Sequence, residues 1–223
     1  MGEAKTLLLT GASRGIGHAT VMRFAREGWR VITCSRQPFP EECPWGGGRD
    51  DHIVIDLADP NQTIEAIAGI REKLGGKLHA LVNNAGISPK GPGGSRLSTL
   101  DTDLRTWGHV FHVNFFASIV LARGLKEELS AAKGAVVNVT SIAGSRVHPF
   151  AGAAYATSKA ALKALTREMA HDFGPLGVRV NAIAPGEIET SILSPGTEKI
   201  VETLPLRRLG QPREVADVIW FLC

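Results

Sequence analysis

Cysteine is scarce in this sequence, which contains three cysteines among 223 residues and no Cys-x-x-Cys pair. So few, unevenly spaced cysteines exclude a disulfide framework, and no metal site is predicted. We therefore expect a reducing, cytoplasmic environment. Tyrosine is rarer still, since Tyr155 is the only one in the chain.

The sequence also lacks a large excess of charge and any apolar stretch of membrane length. The 25 basic and 22 acidic residues give a net charge of +3, and the basic residues are scattered rather than clustered. A nucleic-acid-binding surface is therefore not expected. The apolar run at residues 7–9 is far too short to cross a membrane, and no signal-peptide cleavage pattern accompanies it, so no membrane association is expected.

Short apolar runs alternate with helical stretches along the chain. Strands are predicted over residues 6–10, 30–34, 52–55, 80–82, 135–140 and 179–183. Helices are predicted over residues 15–27, 61–74, 100–129, 155–173 and 213–222. Continuous apolar runs are typical of parallel strands that helices cover on both faces. The pattern predicts one α/β domain over residues 1–223, built on a Rossmann-like doubly wound parallel sheet.

Two segments interrupt this alternation. Residues 37–50 contain three prolines and three consecutive glycines, so we predict an irregular connection in place of a crossover helix. Residues 87–98 form a predicted loop after the fourth strand. In open parallel sheets ligands bind beyond the carboxyl ends of the strands, and the motifs described next lie at those ends.

The first predicted strand leads directly into the sequence TGASRGIG at residues 10–17, which opens the first helix. Glycines allow a sharp turn and a close approach of the backbone to a pyrophosphate, whose charge is stabilised by the free N–H groups of the helix. An ordinary glycine-rich turn is the alternative, but the strand–turn–helix context favours a dinucleotide site. The predicted cofactor-binding residues here are Gly11, Ser13, Arg14, Gly15, Ile16 and Gly17.

The end of the second strand bears on the choice between NAD(H) and NADP(H). An NAD site normally offers a carboxylate to the ribose there, but residues 33–36 contain Arg36 and no acid. Arg36 and Arg14 can hold a 2′-phosphate, which favours NADP(H) over NAD(H); two solvated surface arginines are the alternative. Asp56, followed by Leu57, is a candidate for binding the adenine side, and its alternative role is an Asx turn.

A tyrosine and a lysine four residues apart open the fourth predicted helix. Tyr155 and Lys159 share a helix face, so the phenol and the ammonium point into the same space. On an arbitrary helix such a pair would usually be two solvent-exposed residues without a catalytic role. Here Asn114 lies in an otherwise apolar helix, where an amide is unfavourable without partners. Small or polar residues also follow the other strands. Ser141 can face a substrate oxygen, and the predicted cofactor-binding residues here are Asn83, Ala85, Gly86, Pro185 and Gly186; a packing or turn role is the alternative for each.

The motifs TGASRGIG, NNAG, YATSK and PGEIET occur in the order typical of the short-chain dehydrogenase/reductase family, which this chain resembles over essentially its whole length. The resemblance implies that Tyr155 is the general acid and base of a hydride transfer. It implies that Lys159 holds the nicotinamide ribose and lowers the pKa of Tyr155, and that Ser141 donates a hydrogen bond to the substrate oxygen.

Three further roles follow from the resemblance. Asn114 would anchor a water molecule that links Lys159 to solvent in a proton relay. Ile188 and Thr190, after Pro185-Gly186, would fix the nicotinamide carboxamide. The resemblance also implies a homo-oligomer, either a dimer or a tetramer, and a further strand after Cys223, so we expect residues beyond this point.

The expected reaction interconverts a ketone and a secondary alcohol with NADP(H). A 3-oxoacyl carrier-protein reductase and an NAD-dependent alcohol or sugar dehydrogenase are alternatives, and a non-catalytic NADP(H)-sensing regulator is a reading of a different class. The substrate pocket is predicted to be lined by residues 87–98, 142–152 and 187–209. The apolar candidates are Val147, Phe150, Ile192 and Leu193, and the polar ones are Arg146 and His148, although His148 is more typical of an ordinary loop histidine.

Overall fold

The computed structural model describes residues 4–39, 48–193 and 198–223. Six parallel strands form one sheet in the order β3-β2-β1-β4-β5-β6, with the chain reversing direction across the sheet between β1 and β4. The doubly wound parallel sheet predicted from the sequence is confirmed. The strands are β1 Thr6–Thr10, β2 Arg30–Ser35, β3 His52–Val54, β4 Ala80–Asn83, β5 Ala135–Val139 and β6 Arg179–Ile183.

The apolar runs form central strands because both faces of the sheet are covered. Leu8 lies in a core cluster on one face, whereas Leu7 and Leu9 lie in a second cluster on the other. This division follows from the two-residue period of a strand, which points successive side chains to opposite faces. All five residues of β1 and of β5 are buried, and most of them are apolar; among the polar exceptions, the side chains of Thr10 and Asn138 make hydrogen bonds.

The helices begin and end close to the predicted positions. Asp59 caps α2, since its Oδ1 accepts hydrogen bonds from the N–H groups of Asn61 and Gln62, and Pro60 occupies the first helical position as predicted. The helices are α1 Gly15–Arg26, α2 Pro60–Leu74, α3 Leu104–Phe111, α4 Ala117–Gly124, α5 Lys126–Ala132, α6 Ala153–Phe173, α7 Glu198–Val201 and α8 Pro212–Leu222.

The single helix predicted over residues 100–129 was wrong. Asp103 accepts a 2.7 Å hydrogen bond from the N–H of Thr106, which makes it the cap of α3 and moves the helix start to Leu104. A π-helical turn at His112–Phe116 then joins α3 to α4, and Leu125 leaves the helical conformation between α4 and α5. Apolar periodicity does not reveal one extra residue in a turn, so the sequence pattern alone could not locate this break.

The two predicted interruptions are irregular wherever the structure describes them. Residues 36–39 and 48–50 contain no helix, and residues 40–47 lie outside the described part of the chain. The predicted loop over residues 87–98 contains only a short 3-10 turn at Pro92–Gly94. None of the helices in the described ranges is both long and apolar enough to cross a membrane.

Candidate active site

The glycine loop after β1 is held in a shape that only glycine accommodates well. Gly11 and Gly15 have φ angles of 69° and 55°, in the left-handed region. A Cβ on Gly17 would lie 2.0 Å from the carbonyl oxygen of Gly11 and 2.7 Å from the Asn84 amide nitrogen. The backbone of the loop and the start of α1 are therefore in direct contact, and there is no space for a side chain between them.

The amino end of α1, which follows this loop, has backbone N–H groups available to a bound anion. Arg14 precedes the helix in an extended conformation, its side chain makes no capping hydrogen bond, and the first turn of α1 contains no acidic residue. The first N–H groups of a helix are left without partners inside the helix and attract anions. These features fit a pyrophosphate group of a dinucleotide.

Asn84 fixes the glycine loop to the end of β4. Its Nδ2 donates to the carbonyl oxygens of Thr10 and Gly11 at 3.0 and 2.9 Å, and the Thr10 hydroxyl accepts from the N–H groups of Asn84 and Ala85. The ends of β1 and β4, on either side of the crossover point, are thus joined by four hydrogen bonds. Asn84 was not among the predicted site residues.

The prediction for the neighbouring Asn83 needs correction. Asn83 does not belong to the described lining of the cleft, because β4 extends through it and its side chain turns to β5, where Nδ2 donates a 2.8 Å hydrogen bond to Asn138 Oδ1. Asn138 in turn donates to the Thr166 hydroxyl on α6 at 3.0 Å. This buried series of three polar side chains fixes α6 against β4 and β5.

The adenine side of the cleft contains both predicted arginines. Arg14 and Arg36 line it, and both are exposed, as expected for side chains that await an anionic partner or remain solvated. Asp56 also lines the cleft, while its Oδ1 accepts a 3.0 Å hydrogen bond from the N–H of Ala58. The alternative interpretation of Asp56 as an Asx turn is therefore correct for this oxygen.

Tyr155 and Ser141 meet beside the cleft, where β5 ends and α6 begins. Ser141 follows β5, and its hydroxyl accepts a 3.2 Å hydrogen bond from the N–H of Ala143, which orients the side chain. Burial raises the pKa of Tyr155 above its ordinary value, a hydrogen bond with Ser141 lowers it in part, and the negative charge of Glu187 raises it again. The phenol is thus positioned beside the serine and kept protonated by its surroundings.

Lys159 is almost completely buried, with 3% of its surface exposed. Its Nζ donates a 2.7 Å hydrogen bond to the carbonyl oxygen of Val139 and lies 5.8 Å from the centre of the Tyr155 ring. Burial lowers the pKa of Lys159 from 10.5 to about 8. The sequence predicts that Lys159 lowers the pKa of Tyr155. In the structure the pKa of Tyr155 responds to burial, to Ser141 and to Glu187, and burial has the largest effect.

Asn114 has the partners that its burial requires. Its Oδ1 accepts from the N–H of Ile87 at 2.8 Å, and its Nδ2 donates to the Ile87 carbonyl and to the Ser158 hydroxyl, both at 3.0 Å. A Cβ added to Gly86 would lie 3.3 Å from Lys159 Nζ and 3.5 Å from Asn114 Oδ1. The amide therefore lies close to the buried lysine, inside the π-helical turn, a feature that is frequent at functional sites.

The segment after β6 closes the other side of the cleft. The Pro185 carbonyl accepts from the N–H of Ile142 at 3.1 Å, and Ile188 forms an isolated bridge with Gly210. The methyl group of Thr190 lies against Gly15, where an added Cβ would approach it to 3.0 Å. Residues 194–197 of the predicted substrate segment lie outside the described residues.

A cleft of about 880 Å³ unites these elements, a volume within the range of ligand sites. The predicted residues that the structure brings to it are Gly11, Ser13, Arg14, Gly15, Ile16, Gly17, Arg36, Asp56, Leu57, Ala85, Gly86, Ser141, Tyr155, Lys159, Pro185, Gly186, Ile188 and Thr190. A glycine-lined, donor-rich end and a Ser–Tyr–Lys end fit the two ends of a nicotinamide dinucleotide.

A smaller recess of about 80 Å³ opens beside Tyr155 and Ser141. Of the predicted substrate contacts, His148, Phe150, Ile192 and Leu193 line it. Val147 and Arg146 are not among the lining residues of this recess, and both are exposed, Val147 to 88%. Glu187 and Lys90, which were not singled out in the sequence, also line this recess.

Similarity to known proteins agrees with this geometry. A family profile described as short chain dehydrogenase matches residues 5–200. The chain belongs to the short-chain dehydrogenase family. Members of this family are oxidoreductases that bind a nicotinamide cofactor, and the resemblance noted in the sequence is confirmed.

Individual family members cover nearly the whole chain. It is 62% identical to Protein FixR of Bradyrhizobium diazoefficiens, over 100% of this chain and 81% of that protein. It is 35% identical to the 3-oxoacyl-[acyl-carrier-protein] reductase FabG of Thermotoga maritima, over 99% of this chain and 90% of that protein. A crystal structure of an oxidoreductase of the family from Brucella ovis, in complex with a partially ordered NAD, superimposes with a TM-score of 0.86 at 62% identity, over 99% of this chain and 93% of that one.

The buried position of Lys159 predicts a pH-dependent contribution to stability. Because its pKa is about 8 in the folded protein against an ordinary value of 10.5, the unfolded chain binds more protons between these pH values. The stability contributed by this residue therefore rises with pH in that window. Between pH 7 and pH 9, wild type is expected to gain about 1 kcal/mol of unfolding free energy relative to Lys159→Met.

Urea unfolding followed by tryptophan fluorescence at both pH values measures this difference. Comparing the two proteins at each pH cancels the titration of all other groups. Lys163→Met, on the exposed face of the same helix, controls for the loss of a lysine from α6. A difference between wild type and Lys159→Met that does not change with pH would contradict the expectation.

Proposed function

We propose that this protein is an NADP(H)-dependent oxidoreductase that interconverts a ketone and a secondary alcohol. The observation that carries the proposal is the meeting of Ser141, Tyr155 and Lys159 at one end of a cleft whose other end is the glycine loop. The bound cofactor supplies the hydride. The protein supplies placement, electrostatic stabilisation and the proton.

In this proposal Tyr155 exchanges the proton with the substrate oxygen. In the reducing direction the phenol O–H donates to the carbonyl oxygen as it becomes an alkoxide, and in the oxidising direction the phenolate accepts the alcohol proton. Ser141 donates a hydrogen bond to the same oxygen and stabilises its developing charge. The ordered position of the serine, whose Oγ accepts from the Ala143 N–H, supports this role.

Lys159 and Asn114 complete the proton path. Lys159 would bind the nicotinamide ribose. Its positive charge beside the phenol would also favour the phenolate form of Tyr155, which the burial of Tyr155 disfavours. Asn114 would hold a water molecule that passes protons between Lys159 and solvent. Its contacts with Ile87 and its closeness to the space around Gly86 support this position in the relay.

The proposed preference for NADP(H) depends on Arg14 and Arg36, which lie exposed on the adenine side without an acidic residue at the end of β2. A guanidinium can bind a 2′-phosphate through two parallel hydrogen bonds. The Brucella ovis structure contains NAD, so a direct comparison of the two cofactors is the decisive test for this chain.

Wild type is expected to use NADPH with a kcat/KM roughly tenfold or more above that for NADH, because charge-assisted hydrogen bonds of this kind are worth about 1.5–3 kcal/mol. Arg36→Asp is expected to shift the ratio by roughly 10- to 100-fold towards NADH, since a carboxylate repels the phosphate and binds the ribose hydroxyl. Steady-state assays that follow nicotinamide absorbance with a panel of ketones measure the NADPH/NADH ratio of kcat/KM for wild type and for Arg36→Asp. Arg167→Asp, on the exposed face of α6, is the matched control. A wild-type preference for NADH would show that the arginines have another role.

A 3-oxoacyl carrier-protein reductase is the second candidate. The 35% identity to FabG of Thermotoga maritima favours it, and its substrate is also a ketone reduced to a secondary alcohol. The ketone panel should therefore include a 3-oxoacyl thioester.

We further propose a single domain over residues 1–223 that assembles into a dimer or tetramer in the cytoplasm. Leu104 and Phe221, which are 87% and 84% exposed, are apolar surface that a second copy could cover.

A further inference from the structure

A buried histidine–glutamate pair lies beside the candidate reaction centre. His148 Nε2 and Glu187 Oε1 are 2.6 Å apart, and their side chains are 10% and 7% exposed. Phe150 donates its N–H to His148 Nδ1 at 3.2 Å, so Nδ1 is the acceptor and Nε2 carries the hydrogen that is donated to Glu187. The tautomer and the orientation of the histidine are thus fixed by its two partners.

The backbone of Glu187 is held in place as well. The Glu187 carbonyl accepts from the N–H of Gly210 at 2.8 Å, and the bridge between Ile188 and Gly210 extends this contact. A carboxylate fixed in this way has acceptor capacity beyond the one oxygen that binds His148. Glu187 lines the small recess beside Tyr155 and Ser141, so its remaining acceptor sites are next to the proposed place of the substrate.

A negative charge at this position does not help the acid–base step in the oxidising direction. The charge of Glu187 raises the pKa of Tyr155, whereas abstraction of the alcohol proton needs the phenolate. The acid–base step does not require a carboxylate here, and the contact with His148 uses only one of its oxygens. A favourable contact with the substrate would use the acceptor sites that remain.

Lys90 brings the opposite charge to the same recess. Its Nζ donates a 2.7 Å hydrogen bond to the Phe150 carbonyl, which leaves two further N–H donors. A recess with one cation and one anion favours neither an anionic nor a cationic substituent. A hydroxyl group is compatible with both charges, because it can accept from an ammonium and donate to a carboxylate.

We infer that Glu187 accepts a hydrogen bond from a hydroxyl group next to the reacting carbon, so that the substrates of this protein are neutral α-hydroxy ketones and the corresponding vicinal diols. His148 is a positioning residue that holds the carboxylate in place. The inference rests on the proposed function and adds the substrate class. Ser141 and Tyr155 bind the reacting oxygen, and Glu187 selects the neighbouring one.

Acetoin and butanone test this selection, because they differ only in the hydroxyl group beside the ketone. With NADPH, wild type is expected to show a kcat/KM for acetoin roughly tenfold or more above that for butanone, the size typical of a hydrogen bond to a charged group. Glu187→Gln is expected to reduce this ratio to within about threefold of unity, mainly through KM for acetoin. Glu168→Gln, on the exposed face of α6, is the matched control and should keep the wild-type ratio.

The positioning role of His148 has its own readout. His148→Ala removes the donor and is expected to reduce the acetoin preference as Glu187→Gln does. His148→Gln keeps an N–H donor and is expected to restore most of it. Equal ratios in wild type and Glu187→Gln, or a wild type that does not prefer acetoin, overturn the inference even if both ketones are reduced.

Binding separates this inference from the proposed function. Saturation-transfer NMR of acetoin and butanone with the NADPH-loaded Tyr155→Phe protein reports recognition without turnover. Glu187-dependent binding of acetoin in a wild type that reduces neither ketone would overturn the proposed catalysis and uphold the recognition. Turnover of the ketones without dependence on Glu187 would uphold the proposed catalysis and overturn the inferred recognition by Glu187. Binding of acetoin without dependence on Glu187 would also overturn that recognition.

Discussion

Replacing Tyr155 with phenylalanine is expected to lower turnover roughly 10²- to 10⁴-fold, the usual contribution of a positioned acid or base. The ring remains to fill its place on α6, and only the hydroxyl that exchanges the proton is removed. Cofactor affinity should therefore remain within about threefold of wild type, because the glycine loop is untouched. Steady-state nicotinamide absorbance measures turnover, and fluorescence titration with NADPH measures affinity.

The control for this experiment is Thr157→Ala, which removes a hydroxyl from the exposed face of the same helical turn. It should retain wild-type turnover. Full activity in Tyr155→Phe would refute the role assigned to the tyrosine. If wild type and Tyr155→Phe are equally inert towards every ketone while both bind NADPH, the protein is a cofactor-sensing regulator instead.

Replacing Gly17 with alanine is expected to weaken NADPH binding by about 100-fold or more and to destabilise the fold by about 1–3 kcal/mol. The added Cβ would lie 2.0 Å from the Gly11 carbonyl oxygen, 2.7 Å from Asn84 Nδ2 and 2.8 Å from the Gly11 carbonyl carbon. Backbone atoms cannot rotate away as a flexible side chain can. The loop must move, and the donors that face the pyrophosphate move with it.

Gly69→Ala provides the matched control, because it is the same substitution inside a helix. Among the described residues, no atom outside the neighbouring backbone of α2 lies within 4 Å of the Cβ position at Gly69. Alanine is favoured over glycine in a helix interior by about 1 kcal/mol. This variant should therefore bind NADPH normally and unfold at a slightly higher urea concentration. Normal NADPH affinity in Gly17→Ala would contradict the assignment of this loop.

Residues adjacent in sequence or in one strand pattern were placed well from the sequence. The glycine loop, Ser141 and the Tyr155–Lys159 pair each depend on one element, whose type follows from local periodicity and turn chemistry. The distinction between Asn83 and Asn84 could not be made in this way. Both follow the same apolar run, and a single residue in the length of β4 decides which amide faces the cleft.

Contacts between distant segments were out of reach of the sequence alone. His148 and Glu187 are 39 residues apart, and their pairing depends on where the loops after β5 and β6 meet. Neither residue type is specific for a site, and a loop histidine is ordinarily solvated. The motif PGEIET contained the one sequence signal for Glu187, an acidic residue directly after the turn that closes the cleft.

The π-helical turn at His112–Phe116 makes the length of the chain between α3 and α4 a fixed quantity. A residue deleted within this stretch would convert the turn to a regular α-helix and rotate one helix relative to the other by about 100°. Asn114 could then no longer face Ile87 while Trp107 and Phe111 kept their present side of α3. An insertion or deletion in this stretch would therefore move Asn114, the proposed anchor of the relay water, away from Ile87.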